Sequence, residues 1–112
     1  MSSCIFCQIV SKKAPANIVY QDNDITAFWD TIGYPPVHIL VVPNLHVESL
    51  NEISPDLEPT LLKMMLIARK LAFEKGIQNG YRLFINTGRG GGQTVFHLHL
   101  HLVGGGRLDR PY

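Results

Sequence analysis

The run His97-Leu98-His99-Leu100-His101-Leu102 sets three imidazoles at alternate positions with a leucine after each. On a β-strand successive side chains point to opposite faces, so the histidines share one face and the leucines turn together toward a core. A helix would place His99 about 200° around the axis from His97 and scatter the leucines. The strand reading is the better one. A sheet face given over to imidazoles is not a packing solution, because each ring carries polar nitrogens that need partners. Lone histidines are commonly structural; three in register point to chemistry. The residues alone leave two alternatives open: a solvent-facing strand that collects histidines, and a His₃ zinc site of the hydrolytic type.

Outward from this run, Tyr81-Arg82-Leu83-Phe84-Ile85-Asn86 predicts a strand, and Thr87-Gly88-Arg89-Gly90-Gly91-Gly92 a loop leading through Gln93 and Thr94 into a last strand from about Thr94 to Val103. Glycines let backbone N–H groups turn toward an anion, and this loop delivers its amides and the Thr94 hydroxyl beside the histidine face. Neither a P-loop nor a Gly-x-Gly-x-x-Gly pattern is present, so a plain connecting loop is the competing reading. Upstream, Ser54-Pro55 starts a helix, with Ser as N-cap and Pro at the first helical position. Leu57, Leu61, Met64, Met65, Ala68, Leu71 and Ala72 recur at three-to-four spacing as one apolar stripe, and Gly76 stops the helix. Ile18-Val19-Tyr20 and Ile25-Thr26-Ala27-Phe28-Trp29 predict a hairpin around Gln21-Asp22-Asn23-Asp24. Gly33-Tyr34-Pro35-Pro36 breaks the chain before the strand His38-Ile39-Leu40-Val41-Val42, which Pro43 ends. A short helical turn is expected over about Phe6 to Val10. Five strands with one long and one short helix predict an α+β domain with a mostly antiparallel sheet.

The 112 residues suit a single domain spanning 1–112 that buries roughly two-thirds of its unfolded surface. A hydrophobic fraction of 46% and a charged fraction of 17% are those of a globular chain. With a formal net charge of +1 and no Lys/Arg block, a partner of the long nucleic-acid class is not expected, and a small ligand is the default. No secretory signal or lipidation motif is legible. The longest apolar stretches, Ile39 to Val42 and Met64 to Ala68, are too short to span a bilayer, so a cytoplasmic protein without membrane contact is expected.

Cys4-Ile5-Phe6-Cys7 holds both cysteines of the chain. No His follows Cys7, which excludes c-type haem attachment, and no βαβ unit surrounds the pair as in a thioredoxin-like motif. Two thiolates at this spacing could bind zinc if two further ligands arrive from elsewhere; a reduced, metal-free pair is the alternative.

Gly91-Gly92-Gln93-Thr94-Val95-Phe96-His97-Leu98-His99-Leu100-His101-Leu102-Val103-Gly104-Gly105 resembles the signature of the histidine triad (HIT) superfamily, and most closely its Hint branch of purine nucleoside phosphoramidases. The likeness runs from Ile5-Phe6-Cys7-Gln8-Ile9 through Ala27-Phe28-Trp29-Asp30 and His38 to Pro43. It implies a HIT-like fold and a homodimer whose two sheets join. It also implies a hydrolase that releases a nucleoside monophosphate from phosphoramidates through a nucleotidyl-histidine at His99. A neutral imidazole is nucleophilic at physiological pH, which agrees. The resemblance gives His101 the phosphoryl oxygens and Thr94, usually Ser in that branch, the leaving group. It gives Asp30 the ribose hydroxyls, and sets His38 behind the catalytic histidines. Asn86, Gly92 and Gln93 would add hydrogen bonds around the phosphate, and Phe6, Ile9, Phe28 and Leu40 an apolar slot for the base. Taken alone, Asp30 reads as a turn cap and the slot residues as core.

Several similar proteins complete a zinc site with the His of a Pro-x-x-His segment and the first triad histidine; here these are His46 and His97. The Cys4, Cys7, His46, His97 set would be closed and structural, needing no metal for catalysis. The competing functions are a dinucleoside polyphosphate hydrolase of the Fhit branch and a nucleotide-binding interaction module with incidental hydrolysis. The short chain and Gly104-Gly105-Gly106 favour the Hint side. Hint proteins often carry an aromatic residue in the C-terminal tail that helps select the leaving group. Here Arg110 stands near that place and Tyr112 is the tail's one aromatic, a departure that bears on amine selectivity.

Overall fold

The structure, a computed structural model, describes residues 3–31 and 35–106. Its strands are β1 (Ile18–Gln21), β2 (Ile25–Trp29), β3 (Val37–Pro43), β4 (Tyr81–Phe84) and β5 (Leu100–Gly104); its α-helices are α1 (Ile5–Val10) and α2 (Glu58–Glu74). The five strands form one sheet in the order β1-β2-β3-β5-β4. Each neighbouring pair is antiparallel, as expected of this α+β chain.

Two apolar clusters explain why β3 reads as an unbroken hydrophobic run. On one face Ile39 and Val41 join Ile25, Ala27, Leu100 and Leu102 beneath Met64, Ala68, Leu71 and Ala72 of α2. On the other, Leu40 and Val42 meet Phe28 of β2 and Phe6 and Ile9 of α1. A strand covered on both faces loses the alternation of a half-exposed one. Each fully buried Leu or Ile here contributes about 1.5–3 kcal/mol relative to an exposed one.

The hairpin turn is an Asp-stabilised one: Asp22 Oδ1 accepts from the amides of Asp24 and Ile25, each at 2.8 Å. The chain enters α2 differently from the expected start at Ser54-Pro55. Pro55–Leu57 form a 3₁₀ turn, and α2 proper begins at Glu58 with Leu57 as N-cap. Ser54 Oγ bonds to the Asp56 carboxylate and so caps no helix amide. Met65 lies outside the buried stripe at 46% exposure, and Ile67 takes a place inside it. The exit is as expected: Gly76 adopts a positive φ of 73°, its N–H donates to Phe73 O at 3.1 Å, and the Ile77 N–H donates to Ala72 O at 2.9 Å.

The last strand is shorter than the alternation predicts. Its ladder to β3 stops at Val41↔Leu100, leaving His97 and His99 outside it. The cause is local. Pro43 has no N–H to extend the ladder, the Leu98 N–H donates instead to Val47 O at 2.7 Å, and the His97 ring takes the Pro43 carbonyl at 2.8 Å.

Candidate active site

The leucines of the alternating run do face the α2 side, where Leu98, Leu100 and Leu102 are buried. The three histidines divide. His99 and His101 open on a cavity of about 580 Å³ on the α1 side of the sheet, while His97 turns into a separate cluster.

His99 is fixed by its own chain: Nδ1 lies 2.8 Å from the His97 carbonyl. Only a protonated nitrogen can donate to that oxygen, so the neutral ring carries its lone pair on Nε2. Burial lowers the His99 pKa against the raising effects of this bond and of Asp30, so the ring is neutral at physiological pH. Phe6 packs edge-on at 5.1 Å between ring centres. His101 sits 4.9 Å from His99, centre to centre, and its Nδ1 lies 3.0 Å from His38 Nε2. Burial, with His99 and His38 alongside, pushes the His101 pKa down to about 4. The other nitrogens of this pair, His38 Nδ1 and His101 Nε2, are buried without a hydrogen-bond partner. Unpaired buried nitrogens are costly, and in a cavity they mark where a ligand's polar atoms belong. The Asp30 carboxylate lies 3.9 Å from His38 Nε2.

The same cavity is lined by Phe6, Ile9, Phe28 and Leu40, by Asp30 and His38, and by Thr94. With His99 and His101, the cavity thus brings together nine of the residues singled out in the sequence, carried by α1, β2 and the residue after it, β3, the segment before β5 and β5 itself. Asn86, Gly92 and Gln93 stand elsewhere. Asn86 Nδ2 donates to Gly91 O at 2.8 Å, and the N–H groups of Gly91, Gly92 and Gln93 close back on Gly88 and Arg89. The buried Gln93 side chain accepts from the Gly88 amide and donates to Glu48 O and Val95 O. These groups shape the loop that carries Thr94. Asn17 and Trp29 also line the cavity and were not foreseen; the only signal was that Trp29 adjoins Asp30. Arg110 and Tyr112 lie outside the described residues.

The second cluster joins Cys4, Cys7, His46 and His97, whose ligand atoms all lie within 4.8 Å of one another. His97 Nδ1 is 3.4 Å from Cys4 Sγ and 3.5 Å from Cys7 Sγ, and His46 Nδ1 is 3.4 Å from Cys7 Sγ. Tetrahedral zinc with ordinary Zn–S and Zn–N bonds sets sulfur and nitrogen about 3.5 Å apart, so the four residues fit that ion. His97 Nε2–H donates to Pro43 O, as the non-ligating nitrogen of a metal-bound histidine usually donates to a carbonyl or carboxylate, and this leaves Nδ1 for a metal. No helix of the described residues is long and apolar enough to cross a membrane.

Comparison with known proteins shows the family of the chain. A family model described as the HIT domain matches residues 11–108. The chain is 44% identical to the protein HitA of Neisseria gonorrhoeae over 93% of its length and 97% of that protein's. It is 45% identical to the purine nucleoside phosphoramidase of Escherichia coli K12 over 90% of its length and 86% of that enzyme's. A HIT family hydrolase of Legionella pneumophila superposes with a TM-score of 0.94 at 39% identity, covering 97% of this chain and 98% of that one. With the HIT domain model matching most of its length and relatives at 44% and 45% identity over at least nine-tenths of it, the chain belongs to the HIT domain family.

Proposed function

We propose that this HIT-family hydrolase cleaves purine nucleoside phosphoramidates, releasing a nucleoside monophosphate by way of a covalent nucleotidyl-His99. The observation that carries the reading is the anchored His99 ring: Nδ1 is held by the His97 carbonyl at 2.8 Å, and the ring borders a cavity with Asp30 on its wall. The similarity to the phosphoramidase of Escherichia coli supports the substrate class.

His99 Nε2 donates its lone pair to the α-phosphorus. The P–N bond to the amine breaks, its electron pair leaves on nitrogen, and the amine takes up a proton, with the Thr94 hydroxyl beside it. Water then attacks phosphorus, the Nε2–P bond breaks with its pair returning to Nε2, and the monophosphate departs. The sum is phosphoramidate plus water giving monophosphate plus amine. With His38 Nε2–H donating to His101 Nδ1, the His101 Nε2–H faces the phosphoryl oxygens, where charge builds during transfer. Asp30 accepts from the ribose hydroxyls, and Phe6, Ile9, Phe28 and Leu40 hold the base. Asn86, Gly92 and Gln93 keep the Thr94 loop in shape. A zinc ion at Cys4, Cys7, His46 and His97 supplies a structural clasp, and the reaction uses none of its chemistry.

We assign the active form to a homodimer in the cytoplasm. Among the described residues β4 has a strand neighbour only in β5, so its outer edge can take a second copy, and reduced thiols suit the Cys4/Cys7 pair. The test is intact-protein mass spectrometry after mixing with an adenosine phosphoramidate. Wild type gains one adenylyl group transiently and His99→Gly gains none; equal turnover by the variant would sink the mechanism.

A further inference from the structure

The His101 ring is held at one edge only by a hydrogen bond. His38 fixes its Nδ1 at 3.0 Å, while its Nε2, the atom assigned above to the phosphoryl oxygens, has no protein partner. One N···N contact leaves a ring free to tilt about that point. What sets its plane is on the neighbouring strand. Phe84 of β4 stands directly opposite His101 of β5 in the ladder. Their rings lie stacked at 4.4 Å between centres and 10° between planes. His99 and His38 are tilted against His101 by 53° and 42°, so neither offers it a flat surface.

We propose that Phe84 is a positioning residue for the reaction: its ring, stacked flat on His101, sets the plane of the imidazole so that Nε2 meets the phosphoryl oxygens of the substrate. The inference rests on the reading of His101 as the phosphate contact. A directly opposed cross-strand pair on one face is close enough for its rings to touch. Phe84 also walls a separate recess of about 480 Å³ at the β4 edge, with Arg82, Leu83 and Asn86. Its ring therefore partitions that recess from His101, and keeps water from reaching the imidazole from behind. The low His101 pKa accords with such shielding, since burial is its largest cause.

Four variants decide the matter on the full chain with adenosine phosphoramidate as the probe. Phe84→Leu keeps an apolar side chain without a flat face; Phe84→Met does the same with a more adaptable one, should Leu disturb folding. Phe84→Tyr keeps the ring. His99→Gly serves as the reference for the reaction itself. Phe84→Leu and Phe84→Met are expected to lose about tenfold to a hundredfold in kcat with KM within about twofold, the cost of a misplaced group in transfer. Phe84→Tyr stays within about twofold of wild type. In nitrogen NMR of the ligand-free protein, His101 shows one tautomer in wild type and Phe84→Tyr, and a mixture in the two others. A packing role alone would lower the melting temperature and leave the tautomer unmoved. An unchanged kcat in Phe84→Leu and Phe84→Met, an equal loss in Phe84→Tyr, or an unmoved tautomer overturns the proposal. Turnover by His99→Gly overturns the nucleophile instead, and the tautomer comparison still judges Phe84.

Discussion

Asp30 follows the last residue of β2, and its N–H donates to the His38 carbonyl at 2.8 Å, which keeps its carboxylate at the cavity wall after the strand has ended. A carboxylate can accept from both hydroxyls of a cis-diol, and such charge-assisted bonds contribute about 1.5–3 kcal/mol each. Asp30→Ala is therefore expected to lower kcat/KM for an adenosine phosphoramidate about tenfold to a hundredfold, and to affect the 2′-deoxy analogue much less. Steady-state kinetics on the two substrates checks this, and an equal loss on both would remove the ribose contact. At this scale the sequence spoke through pattern. His99 and His101 were legible because three imidazoles in register have no packing explanation. Asp30 needed the family likeness, since a lone Asp after a strand is ordinarily a cap. Gln93 was not legible in its actual place: nothing in Gly92-Gln93-Thr94 says that the amide reaches back to Glu48 O, a contact made 45 positions away.

Among the elements, the β1–β2 hairpin depends on Asp22 from two directions. Its Oδ1 takes two turn amides, and its Oδ2 meets Lys63 of α2 at 2.8 Å and the Tyr20 hydroxyl at 2.6 Å. Partial burial works against the charged carboxylate, but the bonds from Lys63, Tyr20 and the two amides outweigh it and hold the pKa well below its ordinary 3.8. The folded-state value is depressed, so the unfolded chain takes up the proton first on acidification. The stabilisation is thus complete above the ordinary value and is lost as pH falls through it toward the folded one. Asp22→Ala should lower the unfolding free energy by about 1–2 kcal/mol at neutral pH through the lost turn bonds. Asp22→Asn, which can still accept from both amides, should cost less. Urea melts should show the Asp22→Ala gap closing below about pH 4; a gap constant from pH 7 to 3 would rule out the charge as its source. The hairpin was legible because turn formers separate two β-branched runs. The end of the last strand was not, because period-two alternation continues through His97 whether or not a partner strand does. The missing Pro43 N–H and the Val47 carbonyl that captures the Leu98 N–H decide it, and both lie more than fifty residues upstream.

For the whole molecule the question is what ties the cavity side of the sheet together. Cys4 is the N-cap of α1 and Cys7 lies within it, His46 follows β3, and His97 precedes β5, so a metal bound by all four would join three segments distant in sequence. The site is separate from the cavity that His99 and His101 line, and four protein ligands fill a tetrahedral shell, leaving no open position for substrate. Metal that binds only the folded chain stabilises it by mass action, and the effect grows with the logarithm of free metal. The expected consequence is a melting temperature that rises with added zinc and falls on chelation. Because His97 also supplies the carbonyl that anchors His99 Nδ1, this test must separate loss of fold from loss of chemistry. Turnover is therefore measured at a temperature where circular dichroism shows the stripped protein still folded. If the metal is a clasp, kcat per folded molecule stays within about threefold of the loaded protein, and Cys7→Ser reproduces the lower melting temperature without further effect of chelator. Fast, complete inhibition of a still-folded chain would instead place the metal in the reaction, and the three histidines of the opening run would have to be read again as its ligands.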